Sequence, residues 1–586
     1  MSKTLKATSS VSYKDLLTTY LGPQWRRVLI MSILLLSGIG LQLVNPQLLR
    51  YFIDAATSNG NITVLVLTGA LFIGLALLNQ AITVASTYVS ENVAWTATNQ
   101  LRTDLLTHCL GLDMMFHKAR TAGELIERID GDVNTLSNFF SRSIVHLCGN
   151  TLLLIGIVLM LFLVDWRVGL VLGAFALIAF FLLLRLRNFA VPFWTANRQK
   201  GAEFFGFLGE QLAGTEDLRA NGATHYVLWR FYLFLRQWLP VNWRADLAGY
   251  TMFLSSTIVF AIGNALAFVL GAYLWSQHVI SLGTVYLIFS YTNLLSGPMQ
   301  QIRTQLEELQ KAGAGITRIQ QLRQIQTAIR DGSGAVLPSG ALSVKFRGVT
   351  FGYNAESAVL HDISINLAAG KVLGVLGRTG SGKTTLARLL LRLYDIQQGE
   401  ILLGDVPIRS VRLRNLRQRI AMVTQDIQLF HATVRDNLTF FNPAIPDERI
   451  LTVLDDLGLT SWYSSLARGL DTELGSDGEG LSAGEAQLLA FARVFLSDPG
   501  LVILDEASSR LDPATEQRIE RAVNKLLTER TGIIIAHRLA TVQRADDILV
   551  IENGRIVEYG TRANLTSNPQ SRFYHLLQTG LEEILA

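Results

Sequence analysis

The chain has 586 residues, too many for one compact core and enough for two or three domains. Only 17% of them are charged, against about 25% in soluble domains, and mean hydropathy is +0.32, which excludes a protein whose whole surface meets water. The net charge of +4 is too small for a polyanion-binding surface, so no nucleic-acid partner is expected, and Cys109 and Cys148 lack metal-ligand spacing. The first residues are polar. No cleavable signal with a small-residue cleavage site is expected before the first apolar run, so the apolar segments themselves direct insertion.

Six apolar runs follow in chain order: residues 28–44, 64–89, 144–164, 168–184, 252–275, and 283–295 continuing to Ile302. A hydrocarbon layer about 30 Å thick takes roughly 20 helical residues to cross, because every backbone amide must be satisfied internally there. The sixth run, interrupted by Gly297 and Pro298, is assigned by its position and by the even count it completes. The connections at 45–62, 165–167 and 276–282 hold only Arg50 and Arg167 as fixed positive charges. The connections after the second and fourth runs are long and basic, which marks the cytoplasmic side and puts both termini there. Their helix-like periodicity predicts helices continuing below the membrane, with tips near 113–122 and 214–223. Polar residues within the runs, such as Asn79, Gln80, Asn150, Asn264 and Asn293, line a cavity or bond between helices. A charged helix then leads into the Gly/Pro/Ser stretch 331–340, the best domain boundary in the chain. Beyond it, short β-type runs alternate with helical ones, as in a mainly parallel α/β domain.

Two motifs there carry chemistry. Gly377, Arg378, Thr379, Gly380, Ser381, Gly382, Lys383 and Thr384 match G-x-x-x-x-G-K-[ST], with Thr385 following, between the apolar run KVLGVL and the helical run TLARLLLRLY. The glycines let backbone N–H groups turn around a β-phosphate, Lys383 reaches the β- and γ-phosphates, and Thr384 binds Mg²⁺. Downstream, the apolar run Leu501 to Leu504 ends in Asp505, suited to the Mg²⁺ shell, and Glu506, placed to orient or deprotonate an attacking water.

These motifs resemble the nucleotide-binding domain of ABC transporters, and the whole chain resembles a half-transporter of the exporter type. The resemblance implies a multidomain membrane protein: an all-α six-helix transmembrane domain over residues 1–330, a linker at 331–340, and an α/β P-loop NTPase domain of ABC type over 341–586. By the same resemblance Tyr353 in VTFGY stacks on adenine. Gln425 in MVTQD touches Mg²⁺ and senses the membrane domain. LSAGE, with Ser482, Ala483, Gly484 and Glu485, stands where the family has LSGGQ. Asp512 in SSRLD belongs to the D-loop, and His537 in IIIAHRL contacts the γ-phosphate. Lys383, Glu506 and His537 are then the catalytic set, and Thr384, Gln425 and Asp505 the metal set. GELIERIDGDV and LGEQLAGTEDLRANG resemble the segments beside the two coupling helices.

In this family the signature of one subunit caps the ATP held by the other. Here the first signature glycine is Ala483, whose methyl crowds a close backbone approach, and the final glutamine is Glu485. A carboxylate near a polyphosphate at a partly solvated interface costs on the order of 1–4 kcal/mol. The segment TELGSDG at 472–478 also departs from the family's TxVGERG. The expected pattern is one member of a heterodimer whose partner supplies an intact signature and carries the weaker site; a homodimer with two slightly impaired sites is the alternative. ATP and Mg²⁺ are the implied cofactors. The implied partners are a second half-transporter and the lipid bilayer of the cell membrane, with an exported substrate of amphipathic or hydrophobic character. A soluble ATPase of the same fold would lack the six runs, and importers of this superfamily usually keep the two domain types on separate chains.

Overall fold

The computed structural model describes residues 18–58, 61–354, 357–425, 427–475, 481–505, 513–536 and 542–579. The chain divides into two units, one running to Leu110 and from Ala122 to Ile325, the other made of Gly111–Thr121 together with residues from Gln326 onward.

The first unit is helical: α1 (Trp25–Thr57), α2 (Ile62–Gly111), α3 (Ile144–Val164), α4 (Trp166–Ala213), α5 (Thr224–Ser276), α6 (Leu282–Leu294) and α7 (Ser296–Gln324). At 1.5 Å per residue the 50 residues of α2 and the 53 of α5 measure about 75–80 Å, more than twice a hydrocarbon layer. Among the described residues five helices are long and apolar enough to cross a membrane. The sixth expected span is split between α6, of 13 residues, and the start of α7. The break falls at Leu295, and Pro298 sits in the first turn of α7, where its missing N–H removes no helical bond.

The structure corrects the connection expected at 45–62. Helix α1 continues through Pro46 to Thr57, because Gln47 to Ala56 is good helix-forming sequence and Asp54 ties its end down. Asp54 accepts hydrogen bonds from the Gly283 amide (2.8 Å) and the Ser281 hydroxyl (2.7 Å) at the start of α6. The core of the unit is a stripe on α3, Leu153, Ile157 and Leu161, set one turn apart and packed on Val168, Leu172 and Ala176 of α4 and Leu287 and Tyr291 of α6. Gly169 permits the tight α3–α4 hairpin, since a Cβ there would lie 2.7 Å from the Phe162 backbone. Where α7 passes the short helix Asp132–Asn138, the Arg318 guanidinium grips the buried Asp132 carboxylate through both oxygens (Nε to Oδ2 2.9 Å, Nε to Oδ1 3.2 Å), which raises the guanidinium pKa further. Outward-facing Leu177, Ile178 and Phe181 are exposed apolar side chains, as a lipid-facing or partner-facing surface requires.

The second unit has two main sheets. β1 (Val344–Phe351), β2 (Leu360–Leu367), β4 (Gln398–Leu403) and β5 (Val406–Pro407) form an antiparallel sheet in the order β2-β1-β4-β5. β3 (Val372–Leu376), β6 (Ile420–Val423), β9 (Leu501–Asp505), β10 (Thr531–Ile535), β11 (Asp547–Glu552) and β12 (Arg555–Thr561) form the other, ordered β12-β11-β3-β10-β9-β6. All of its pairings are parallel except β11 with β12. β3, β9 and β10 are buried at every position, which is why they read as unbroken apolar runs. A two-residue ladder, β7 (Ala432–Thr433) with β8 (Glu473–Leu474), ties the segment after β6 to the region before the signature.

Candidate nucleotide site

Parallel pairing brings the C-terminal ends of β3, β10, β9 and β6 to one edge, and in such sheets ligands bind outside those ends. The loop 377–382 leaves β3 there and enters α8 (Lys383–Leu390). Its path demands glycine at two points. At Gly377, φ is +154° and a Cβ would lie 2.2 Å from the Ile551 carbonyl oxygen; at Gly382, φ is +104° and a Cβ would strike Leu360 at 2.6 Å. Lys383 is buried and folds back over the loop, its Nζ donating to the carbonyls of Gly377 (2.7 Å) and Arg378 (3.1 Å). The Ser381 hydroxyl is buried and has no hydrogen-bond partner, an arrangement that an anion in the loop would satisfy. Thr384 is half-buried in the first turn of α8, and Asp505 is buried at the end of β9. A hydroxyl and a carboxylate are the hard oxygen donors that suit Mg²⁺, which keeps most of its other positions for water and phosphate. Gln425 lies just past β6 and is exposed. Glu506, Asp512 and His537 lie outside the described residues.

Tyr353 is half-buried. Its hydroxyl shares a hydrogen bond with Thr385 Oγ1 (3.0 Å), and its ring meets those of Phe351 and Tyr394 edge-on at 5.1 and 5.0 Å. The segment Gly111–Thr121 belongs to this unit and approaches the same ring. Asp113 caps the short helix Met114–Lys118 and also accepts from the Ala328 amide (3.0 Å), while the Lys118 ammonium lies 4.2 Å from the centre of the Tyr353 ring. The other tip, Thr215–Ala220, lies in the first unit between Gly214 and Gly222.

The signature segment starts α9 (Ala483–Ser497). Ser482 is its N-cap and Glu485 completes a capping box: the Glu485 amide donates to Ser482 Oγ (3.2 Å), while Glu485 Oε2 accepts from the Ser482 amide (2.9 Å) and hydroxyl (2.8 Å). Gly484 is buried against Thr515, where a Cβ would sit 2.3 Å from Thr515 Cγ2, whereas Ala483 is exposed. The fold itself therefore needs glycine at 484 and accepts a methyl at 483. Further along α9, Arg493 was missed from sequence, although an arginine inside AQLLAFARVFL was a visible signal. It donates to the carbonyls of Gln428 (2.9 Å) and Asn437 (2.8 Å) and lies over the Phe440 ring (4.6 Å). Burial pushes its guanidinium down to about 10. Buried Asn437 in turn holds the backbone of Phe430 and Ala432, so the signature helix and the stretch following Gln425 are tied together.

The fold and this edge define a multi-pass membrane protein that also carries a P-loop nucleoside triphosphatase domain. The family model of the ABC transporter transmembrane region matches residues 28–299, and that of the ABC transporter matches residues 360–509. The chain is 31% identical to the uncharacterized ABC transporter ATP-binding protein YknV of Bacillus subtilis over 555 residues, 94% of this chain and 91% of that protein. It is 29% identical to an ATP-dependent lipid A-core flippase of Sodalis glossinidius over 89% of this chain and 90% of that one. The solved structure of a bacterial Atm1-family ABC exporter with ATP bound superposes with a TM-score of 0.78 at 25% identity, covering 94% of this chain and 98% of the other. The chain belongs to the ABC transporters, with the half-transporter architecture of the exporters: it binds and hydrolyses ATP and works as a dimer in a membrane.

Proposed function

We propose that this chain is one half of a heterodimeric exporter, that it hydrolyses ATP at its own phosphate loop, and that it serves its partner's nucleotide poorly. What supports the reading is the capping box. It fixes the Glu485 carboxylate at the N-terminus of α9 and engages the Ser482 hydroxyl that family members turn toward the facing γ-phosphate. A carboxylate there opposes a polyphosphate, while a partner with an intact signature completes the site built on this chain.

In this reading Lys383 leaves the Gly377 and Arg378 carbonyls for the β- and γ-phosphates, and the loop amides and Ser381 hydroxyl bind phosphate oxygens. Thr384, Asp505 and Gln425 would hold Mg²⁺, which neutralises charge on the transferring phosphoryl group. Glu506 takes the proton of the attacking water and His537 contacts the γ-phosphate. Tyr353 stacks on the adenine. The nucleotide-binding domain, residues 341–586, lies in the cytoplasm with both termini, and residues 1–330 carry an amphipathic or hydrophobic substrate outward through the cell membrane. Two ATP molecules gripped between facing subunits close the dimer and turn the bundle outward; hydrolysis resets it.

Purifying the untagged chain alone and measuring its ATPase tests the pairing. Slow turnover that rises when the partner is added is expected, and vigorous turnover alone defeats the heterodimer. Accumulation of substrate inside inverted vesicles on adding ATP tests the direction.

A further inference from the structure

The stretch 331–340 has the composition of a flexible tether, yet the second unit holds it along its length. At its start the Asp331 carboxylate accepts from the Leu413 amide (2.6 Å), and just upstream the Ala328 amide donates to Asp113 (3.0 Å). In its middle the Gly334 and Ala335 amides both donate to the Ser410 carbonyl (3.0 Å each), and Ala335 bridges Val411. Gly332 lies so close to this segment that a Cβ would sit 2.4 Å from the Val411 carbonyl oxygen. At its end Arg419 Nη2 donates to the carbonyls of Pro338 (2.9 Å) and Gly340 (2.6 Å), charge-assisted bonds of the stronger kind.

The place where that end is fastened gives the attachment its meaning. Arg419 and Gly500 immediately precede β6 and β9, which pair from Ile420 and Leu501 onward. The Gly500 amide donates to the Arg419 carbonyl (3.0 Å), and the Gly500 carbonyl accepts from the amides of Leu342 and Thr531 (3.3 Å each). Gly500 is buried, and a Cβ there would lie 2.3 Å from the Gly340 carbonyl oxygen and 2.8 Å from Arg419 Nη2. Three segments of chain close on one point with no space for a side chain. From that point β9 runs five residues to Asp505, and β6 runs four to Val423 with Gln425 two residues beyond. Five extended residues span about 16 Å, and a paired strand carries a shift at its start to its end.

We propose that residues 328–342 act as a strap and that Arg419 is a positioning residue for ATP hydrolysis. By holding the strap against Gly500 it fixes where β6 and β9 begin, and so how far Gln425 and Asp505 reach toward the phosphate loop. The chain enters the strap directly from α7, which ends at Gln324, so a displacement of that helix is delivered to the same point. By thermodynamic reciprocity, nucleotide bound at the edge tightens the strap. The proposal rests on the reading that gives Asp505 and Gln425 to the nucleotide.

The test uses the full-length chain assembled with its partner in lipid nanodiscs. Arg419→Met keeps the apolar stem and removes both bonds, so kcat for ATP should fall about ten-fold while KM stays within about two-fold, the phosphate loop being untouched. Arg419→Lys, which keeps a charged donor, should stay within about three-fold of the parental kcat. Hydrogen exchange reads the strap without turnover: the Gly334 and Ala335 amides should be protected in the parental chain and exchange about ten-fold faster in Arg419→Met. Should Arg419→Met melt early, two glycines inserted after the exposed Arg330 lengthen the strap between its anchors; a strap predicts a comparable loss of kcat and a tether predicts none. Parental kcat in these variants, a rise in KM that accounts for the whole loss, or unprotected Gly334 and Ala335 amides overturns the proposal. Parental turnover in Asp505→Asn would instead overturn the nucleotide-site reading, while the exchange measurement still reports on the strap.

Discussion

The loop 377–382 and the turn 482–485 both lead into helix N-termini, and the second unit holds them by different means. The first is clamped between β3 and α8, with Gly377 and Gly382 in conformations and spaces closed to any side chain. The second is held mainly by its own capping box and by Gly484 against Thr515, and it leaves Ser482 and Ala483 exposed. A site that grips its own nucleotide is specified by the sheet around it. The turn 482–485 is constrained only where it touches its own fold: Gly484 has no room for a Cβ and Glu485 closes the capping box, whereas the exposed methyl of Ala483 meets no such restriction.

If that contrast is right, the largest effect belongs to the clamped loop. Gly377→Ala puts a Cβ on the Ile551 carbonyl at an unfavourable φ, about 4 kcal/mol of strain, so ATP affinity should fall roughly 1,000-fold by nucleotide titration. A near-normal affinity would break the comparison. Next comes the anchor of the signature helix. Arg493→Met strands two carbonyls and should lower stability by about 2–3 kcal/mol, read as an earlier melt with ATP affinity largely kept. Smaller is the signature itself: Glu485→Gln should speed ATP turnover of the assembled transporter about five-fold, roughly 1 kcal/mol. Ser482→Ala should then slow the Glu485→Gln protein more than the parental one, since Glu485 engages the hydroxyl in the latter; additivity would show that the capping box withholds nothing.

The smallest effect tests how firmly the start of β3 is moored. Burial raises the Asp546 pKa, but the Lys371 ammonium and the Val372 amide outweigh it and hold the carboxyl below its ordinary value. A depressed carboxyl contributes stability above its unfolded pKa and loses it as pH falls through the folded one. Asp546→Asn should therefore cost below about 1 kcal/mol near neutral pH, and the difference in melting temperature should close in acid below the usual carboxylate range.

Much of the nucleotide edge was legible because its signals are local. Spacing, strand and helix are contiguous between Val372 and Leu390, and Asp505 ends an unmistakable apolar strand. The long helices were legible too, since periodicity and length speak directly to membrane thickness. The end of α1 was misread because Asp54 is stabilised by Ser281 and Gly283, more than two hundred residues away. Among the polar residues of the spans, Asn264 was found bonding Asn293 across α5 and α6 (2.9 Å), while Asn150 lines a cavity between α1, α2 and α3, a distinction no periodicity carries.

The sequence alone determined which segments are apolar enough for lipid and which loop can wrap a phosphate, because each follows from residue type at short range. Tertiary structure decided which carboxylate faces which hydroxyl, that Arg493 fastens α9 to the segment beyond β6, and that Arg419 holds the carbonyls of Pro338 and Gly340 beside Gly500. Those relations join residues from distant parts of the chain or depend on side-chain direction, and only packing fixes either.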